Sequence, residues 1–227
     1  MDRHPRAPFL PGEVTRGALP PDERLVALLR ARDETVFVAL LESWSAGMLR
    51  VARSYVSTSA SAAEVVQDTW LAVIEGIDRF EGRSSVRTWV YRILANTAQR
   101  RGSRELRVVP LSGPTVDPDR FQGPDESFPG HWREFPAPWP TSSSPEPEDA
   151  IIAAETRDRL ADALRRLPER QRATITLRDV EGFTAAEVCL ILDISAANQR
   201  VLLHRARAFV REELDRYFSV DPEQKLL

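Results

Sequence analysis

The 227-residue sequence has very little of the residue types that bind metals or carry thiol chemistry. It contains one cysteine, Cys189, and three histidines, at positions 4, 131 and 204. One cysteine cannot form an internal disulfide, and three scattered histidines do not have the spacing of a metal site. We therefore expect no structural metal, no thiol catalyst and no bound cofactor.

Long apolar runs are also missing. No stretch reaches the ~18 to 20 residues that a membrane-spanning helix needs, and the start, MDRHPRAPFLPGEVTRGALPP, has no continuous apolar segment like that of a signal peptide. Hydrophobic residues still make up 42% of the chain, which is enough for a substantial core. The sequence predicts a globular, cytoplasmic protein that does not insert into membranes.

Motifs for catalysis are absent from the sequence as well. It shows no paired carboxylates in a cleft motif, no nucleophile beside a general base and no glycine-rich loop that would cradle a phosphate. We therefore predict that the protein is not an enzyme, has no small-molecule substrate and acts by binding to its partners.

What the sequence does have is an uneven charge distribution beneath a net charge of -3. Residues 79–107 carry +6, whereas residues 108–150 carry -6. A second basic patch lies near the C-terminus and contains four arginines without an acidic residue: Arg200, Arg205, Arg207 and Arg211. Two basic patches favour two contacts with an anionic partner, although a solvated helix face produces the same pattern.

Residues 108–150 are predicted to form a long linker. They contain ten of the 17 prolines, are rich in Ser, Asp and Glu, and show no sustained apolar period. They also contain five large aromatic residues: Phe121, Phe128, Trp132, Phe135 and Trp139. These aromatics either dock on a partner or pack onto a domain; we favour docking, because they would otherwise lie exposed in an acidic strip.

The parts on either side of the linker are predicted to be helical. Apolar residues recur at three- and four-residue steps from Phe37 to Tyr55 and from Ala63 to Ile77, and a third helix is expected from a Ser84 or Ser85 cap to about Arg101. After the linker we expect four helices, over residues 151–166, 169–180, 184–192 and 196–217. The predicted fold is all-α, with two small helical domains joined by a long, Pro-rich, acidic linker.

One face of the third helix is polar at four-residue spacing. It carries Thr88, Arg92, Asn96, Gln99 and Arg100, and the loop before it contains Phe80, Arg83 and Ser84. These groups include donors for phosphate and both donors and acceptors for a base edge. Phe80, Trp89 and Tyr91 could form the walls of a pocket for an unpaired base. Considered individually, however, Trp89 and Tyr91 are more typical of core residues.

The last two predicted helices are separated only by Leu192–Ser195, which predicts a helix-turn-helix. The second helix of that motif enters the major groove. Ser195 is a natural N-cap, Asp193 tolerates a left-handed turn, and Cys189 is expected to pack between the helices. The candidate duplex contacts are Ser195, Asn198, Gln199, Arg200 and Arg205.

Three motifs occur in a recognisable order: AEVVQDTWLAV, IDRFEGRSSVRTWVYRILANTA and LRRLPERQRATITLRDVEGFTAAEVCLILDIS. In order and spacing they resemble bacterial RNA polymerase sigma factors of the sigma-70 family, extracytoplasmic-function (ECF) group. The resemblance implies region 2 at residues 21–107 and region 4 at 151–218. It leaves tails at 1–20 and 219–227 and a linker at 108–150.

The resemblance implies an alternative sigma factor that binds core RNA polymerase and directs promoter-specific transcription initiation. Region 2 would recognise and melt the -10 element of promoter DNA with the polar helix face and the loop before it, and the helix-turn-helix of region 4 would bind the -35 element. Region 4 would also contact the β subunit, and an anti-sigma factor is a further expected partner. Contacts with the clamp helices of the β′ subunit are implied for Glu64, Gln67, Asp68 and Trp70.

The recognition helix departs from the family pattern. Where the family often has Gly-Thr-Val-Lys-Ser-Arg-Leu, this sequence reads ANQRVLL, so that Leu202 replaces a basic residue and Gln199 an apolar one. A slightly rotated helix or a different -35 sequence is expected. Two alternatives are a stand-alone helix-turn-helix regulator and a DNA-processing enzyme such as a serine recombinase, which needs a β-sheet.

Overall fold

The computed structural model describes residues 19–106 and 147–219, and within these two ranges it contains helices and no β-strand. The predicted linker and its five aromatics lie outside the described residues, except that the first helix after it begins four residues earlier than expected. The helices are α1 (Asp22–Arg30), α2 (Glu34–Ala52), α3 (Ser59–Gly76), α4 (Val86–Leu106), α5 (Pro147–Arg166), α6 (Glu169–Ile175), α7 (Ala185–Leu192) and α8 (Ala196–Ser219).

Helices α1 to α4 form an N-terminal bundle, in which α2, α3 and α4 begin at side-chain caps. The backbone N–H of Val36 donates to Asp33 at 3.1 Å, that of Ser61 donates to Thr58 at 3.0 Å, and that of Thr88 donates to Ser85 at 3.1 Å. Such caps satisfy N–H groups that the helix itself leaves unpaired. Ser85 is thus the cap of α4 and is one of the two residues, Ser84 and Ser85, that the sequence predicted for this role.

Helix α1 was not predicted from the sequence. It has only nine residues, of which Leu25 and Leu29 are buried in the bundle. The carboxylate of Asp22 accepts a hydrogen bond from the N–H of Val86 at 3.0 Å, so α1 also helps to cap α4. A residue of α1 therefore stabilises the first turn of α4, next to the predicted promoter-binding loop.

Helix α2 is the one described helix long and apolar enough, by length and composition, to cross a membrane. Its apolar side chains Leu40, Trp44, Met48 and Val51 are buried in the core of the bundle. This is the packing of a central core helix, which passes the same compositional test.

Helices α5 to α8 form the C-terminal domain. Helix α8 packs against α5 and α6, and its buried residues include Leu203, Ala206, Phe209 and Leu214. A π-helical turn, Thr176–Val180, follows α6, with the N–H of Glu181 donating to the carbonyl of Thr176 at 2.9 Å. π-Helical turns often occur at functional positions, and this one leads into the segment that contacts the N-terminal bundle.

The two domains pack directly on each other. Helix α7 lies against α4, and apolar residues of the C-terminal domain join the core of the N-terminal bundle: Ala173, Leu177, Phe183, Val188 and Ile191. The predicted all-α fold with two helical domains is confirmed. Their close packing was not predicted, because the hydrogen-bonded residues that meet are 90 to 131 positions apart in the sequence.

Candidate nucleic-acid interface

The polar face of α4 is largely on the surface. Arg92, Asn96, Gln99 and Arg100 are exposed, because the opposite side of the helix buries its apolar residues: Val86, Val90, Leu94 and Ala98. The exposed residues follow one another at three- and four-residue steps along about two turns of helix. They present guanidinium and amide groups on one continuous strip, which can bind phosphate and base edges.

The loop before α4 has both exposed and buried members. Arg83 is exposed and pairs with Glu81 at 3.0 Å, and Ser84 is half-buried. Phe80 is buried and its ring packs against Trp89, with centroids 5.0 Å apart. The ring therefore belongs to the core in this conformation, and the predicted contact of Phe80 with DNA stays a prediction.

Thr88, predicted to lie on the polar face, is also buried. Its hydroxyl accepts a hydrogen bond from Ser85 at 2.8 Å and donates to the carboxylate of Glu187 at 3.0 Å. Since Glu187 belongs to α7, the C-terminal domain covers this end of the predicted strip. Thr88 is unavailable to DNA while the domains are packed together.

The helix-turn-helix has the geometry that the sequence predicted. Asp193 adopts the left-handed conformation, with φ 51° and ψ 54°, between α7 and α8. The Ser195 hydroxyl accepts from the N–H of Asn198 at 3.2 Å and caps α8. Thr184 and Glu187 form a capping box at the start of α7. Half-buried Cys189 lies in α7.

The predicted duplex contacts do not all lie on one face of α8. Ser195, Asn198, Arg200 and Arg205 are exposed, whereas the side chain of Gln199 is buried, with the residue only 2% exposed, and its Nε2 has no hydrogen-bond partner. In this conformation Gln199 does not present its amide on the exposed face of α8, so its predicted contact with DNA stays a prediction that the observed packing does not favour. Position 199 faces the core, which agrees with the apolar residue usual in the resembled family.

The outer face of α3 carries most of the predicted polymerase contacts. Glu64, Gln67 and Asp68 are exposed, and Glu64 pairs with Arg101. Trp70 is buried and stacked on Trp44, with 6.3 Å between the ring centroids, so it lies in the core here and its predicted contact with polymerase stays a prediction. The sequence reasoning missed a member of this face.

The missed residue on α3 is Leu71, which is 53% exposed. It lies four positions after Gln67 and three after Asp68, so all three share one side of the helix. Helical spacing was the signal that could have found it. The face thus joins an acidic and an amide side chain to an exposed apolar one.

The contact between the domains is centred on Glu181, whose side chain is only 5% exposed. One carboxylate oxygen accepts from Arg50 Nε at 2.8 Å, and the other lies 3.5 Å from Arg87 Nη2. Arg87 also donates to the Glu181 carbonyl at 3.0 Å, and the Tyr91 hydroxyl donates to the carboxylate at 3.4 Å. Burial and the charge of Glu181 raise the pKa of Tyr91 to about 12, so this hydroxyl keeps its proton.

Glycine at position 47, which has no side chain, leaves space for the Glu181 carboxylate. A Cβ at Gly47 of α2 would lie 2.3 Å from Glu181 Oε2 and 2.5 Å from the Tyr91 hydroxyl. On the other side of Glu181, Gly182 has φ +73°, a conformation that favours glycine. The turn then brings the ring of Phe183 to 4.8 Å from Tyr91 and 4.2 Å from the Arg87 guanidinium.

A second attachment lies at the C-terminal end of α2. The guanidinium of Arg172 in α6 donates to the carbonyl of Ser54 at 2.8 Å and 3.3 Å. Burial lowers the pKa of Arg172, against the opposing charge of Glu169. Burial and the same Glu169 charge raise the pKa of Tyr55 above its ordinary value. The domains are therefore held at two places on the N-terminal bundle.

Two family models match these two domains. The model for sigma-70 region 2 matches residues 40–107, and the model for sigma-70 region 4 matches residues 157–210. Together they cover more than half of the chain. The chain belongs to the sigma-70 family. Region 2 contains the α3 face and the α4 strip, and region 4 contains the helix-turn-helix.

Relatives place this sigma factor in the ECF group. It is 27% identical over 186 residues to the ECF RNA polymerase sigma-E factors of Salmonella typhimurium and Escherichia coli K12, covering 82% of this chain and 90% of each relative. The Haemophilus influenzae sigma-E factor is 25% identical over 193 residues, covering 85% and 95%.

Solved structures show the same fold. CnrH, solved in complex with the cytosolic domain of CnrY, matches with a TM-score of 0.53 and 21% identity, over 86% of this chain and 97% of that chain. RpoE from Bartonella quintana, solved with the anti-sigma factor NepR, matches with a TM-score of 0.52 and 24% identity, over 79% and 96%.

Proposed function

We propose that this ECF sigma factor binds core RNA polymerase and selects promoters through two separate DNA contacts. The carrying observation is that an exposed polar strip on α4 and a capped helix-turn-helix occur in the two regions that match the sigma-70 models. A stand-alone regulator needs the helix-turn-helix only. The membership in the family favours the sigma function over that alternative.

Region 2 recognises and melts the -10 element in this proposal. Arg92, Arg100 and the loop residue Arg83 bind phosphates, and Asn96 and Gln99 hydrogen-bond to base edges of the melted strand. Ser84 borders the loop at the start of the strip. A pocket for an extruded base would complete the site, and its walls come from the region around Trp89.

Region 4 binds the -35 element as a duplex. Asn198 and Arg200 lie in the first turns of α8, which is the part of a recognition helix that meets the bases, and Arg205 lies further along on the exposed surface. Arginine pairs with guanine or phosphate and asparagine with adenine. The Ser195 hydroxyl, already used as the cap, stands beside them.

Polymerase docks on α3 through Gln67, Asp68, Glu64 and the exposed Leu71. An interface of this kind combines an apolar centre with a polar rim. We further propose that region 4 contacts the β subunit of polymerase, and that an anti-sigma factor covers these surfaces when the sigma factor is inactive. The protein acts in the cytoplasm and by binding alone, without catalysis of its own.

The test is run-off transcription with purified bacterial core polymerase, with and without this protein, on fragments of its own genome. We expect specific initiation only when both are present, and the selected fragments then reveal the two promoter elements. Gel shifts of duplex DNA by the protein alone, with no effect on initiation, would instead support a stand-alone regulator.

A further inference from the structure

We propose that Val201 on the recognition helix α8 reads the C5-methyl group of a thymine, so that one position of the -35 element is specified as an A·T pair. The inference rests on the proposed sigma function and names a base that its duplex contact selects. Val201 was not among the contacts expected from the sequence, because a valine side chain has no group that hydrogen-bonds to DNA.

Val201 lies in the middle of the outer face of α8. An α-helix turns by about 100° per residue, so Val201 points about 160° away from both Gln199 and Leu203. Those two residues are buried, whereas Val201 is 37% exposed, although valine is among the residue types most often buried in proteins. The face that α8 turns away from the core of its own domain therefore has an apolar group at its centre.

The groups around Val201 suit an anionic partner. Residues 196–206 contain two arginines and no acidic residue. Asn198 lies about one turn before Val201 and Arg205 about one turn after it, and both are exposed on the same side of the helix. Arg200 is exposed next to them. A polyanion matches this surface, and in the proposed function that polyanion is the duplex of the -35 element.

An apolar side chain at this point selects among base pairs, because only thymine carries a methyl group in the major groove. Contact between the valine and thymine methyl groups removes apolar surface of both from water. Against a G·C pair, the same side chain would cover the donor of cytosine or the acceptors of guanine without replacing their hydrogen bonds to water. Val201 therefore favours A·T both by attraction to one pair and by leaving polar groups of the other unpaired.

Asn198 places this contact beside a second one. Val201 follows it by three residues, which is about 4.5 Å along the helix axis at about 1.5 Å per residue. That distance is close to the step of about 3.4 Å between base pairs. Because asparagine can pair with N6 and N7 of adenine, the two side chains contact neighbouring base pairs, and an A·T pair is expected at each.

The DNA side of the contact is tested by removing the methyl group alone. The probes are promoter fragments recovered by run-off transcription, in which each thymine of the -35 element is replaced in turn by deoxyuridine. Deoxyuridine pairs with adenine but lacks the C5-methyl group. Affinity for core polymerase loaded with the full-length protein is measured at one fixed salt concentration. We expect a loss of about fourfold at one position, which is the effect of one buried methyl group.

The protein side is tested by Val201→Ser, with Val180→Ser as the matched control. Val180 is 50% exposed and lies in the π-helical turn of the same domain, outside α8. The Val201 variant should bind the thymine and deoxyuridine probes equally, at about the affinity of the wild type for the deoxyuridine probe. The control should keep the fourfold difference. This double-mutant cycle isolates the contact, because changes at independent sites add.

Four outcomes decide against the proposal. A wild type that binds every deoxyuridine probe as tightly as its thymine parent would overturn it, even if initiation with core is specific. A Val201→Ser protein that keeps the fourfold difference would do the same. An equal loss on every probe, together with weaker binding to core, would show that Val201 contacts polymerase instead of DNA. If loaded core initiates on no genomic fragment, the sigma function itself fails, and the reading of thymine fails with it.

Discussion

At residue 199, a polar side chain occupies an apolar position of the helix-turn-helix. Gln199 is buried and its Nε2 has no partner, which costs about 1–3 kcal/mol relative to a satisfied or apolar group. We expect Gln199→Met to raise the free energy of unfolding by about 1 kcal/mol, measured by urea denaturation. Run-off transcription should be unchanged; a loss of promoter selectivity in a stable Met variant would restore a direct DNA role for this residue.

A single substitution at Asn96 tests the proposed contact of α4 with the -10 element. Its amide lies exposed at the centre of the α4 strip, so Asn96→Ala removes hydrogen bonds to a base without disturbing the core. We expect open-complex formation, measured by permanganate footprinting, to fall about tenfold, equivalent to about 1.4 kcal/mol. Polymerase affinity should be unaffected, in contrast to Gln67→Ala on α3. An equal loss of both activities in the Asn96 variant would contradict the assignment.

At the scale of the element, the turn between α7 and α8 depends on one backbone conformation. Asp193 is left-handed, which costs an ordinary side chain about 1–2 kcal/mol and glycine almost nothing. Asp193→Val should lower the stability of region 4 by about that amount in denaturant melts, whereas Asp193→Gly should match or exceed the wild type. Equal stability of the Val and Gly variants would show that the turn is not fixed in this conformation.

The helices are the part of the fold that the sequence predicted best. The starts of α7 and α8 were predicted to within one residue, because Ser195 is a natural cap and the turn between the two helices is short. Helix α1 was missed because nine residues give too few apolar repeats to distinguish a helix from a loop. The burial of Gln199 was not predicted, because its residue type suggested an exposed DNA contact, whereas its position on the helix places it against the core.

At the scale of the whole molecule, the domain arrangement could not be read from local patterns. Arg87 and Glu181 are separated by 94 residues, and the role of Gly47 depends on a carboxylate from another domain. Periodicity identifies which face of a helix is apolar but not which surface will cover it. The apolar period of α7 therefore does not reveal that Phe183 and Val188 join the core of region 2.

The contribution of Glu187 in α7 to the stability of the folded protein is expected to depend on pH. Burial disfavours its ionisation, but hydrogen bonds from Thr184 and Thr88 and the charge of Arg87 outweigh burial and hold its pKa below the usual 4.5. The unfolded chain therefore takes up this proton more readily than the folded one. The stabilisation from Glu187 should be complete above about pH 4.5 and should be lost as pH falls through the lower, folded pKa.

The comparison with Glu187→Gln isolates this effect, because glutamine preserves the capping box but carries no titratable proton. Thermal melts of both proteins from pH 7 to 3.5 should show a wild-type advantage that is constant near neutrality and shrinks at acid pH. Other carboxylates titrate alike in the two proteins and cancel in the difference. A difference that stays constant down to pH 3.5 would mean that the pKa of Glu187 is the same in the folded and unfolded chains, so that its charge does not stabilise the folded protein.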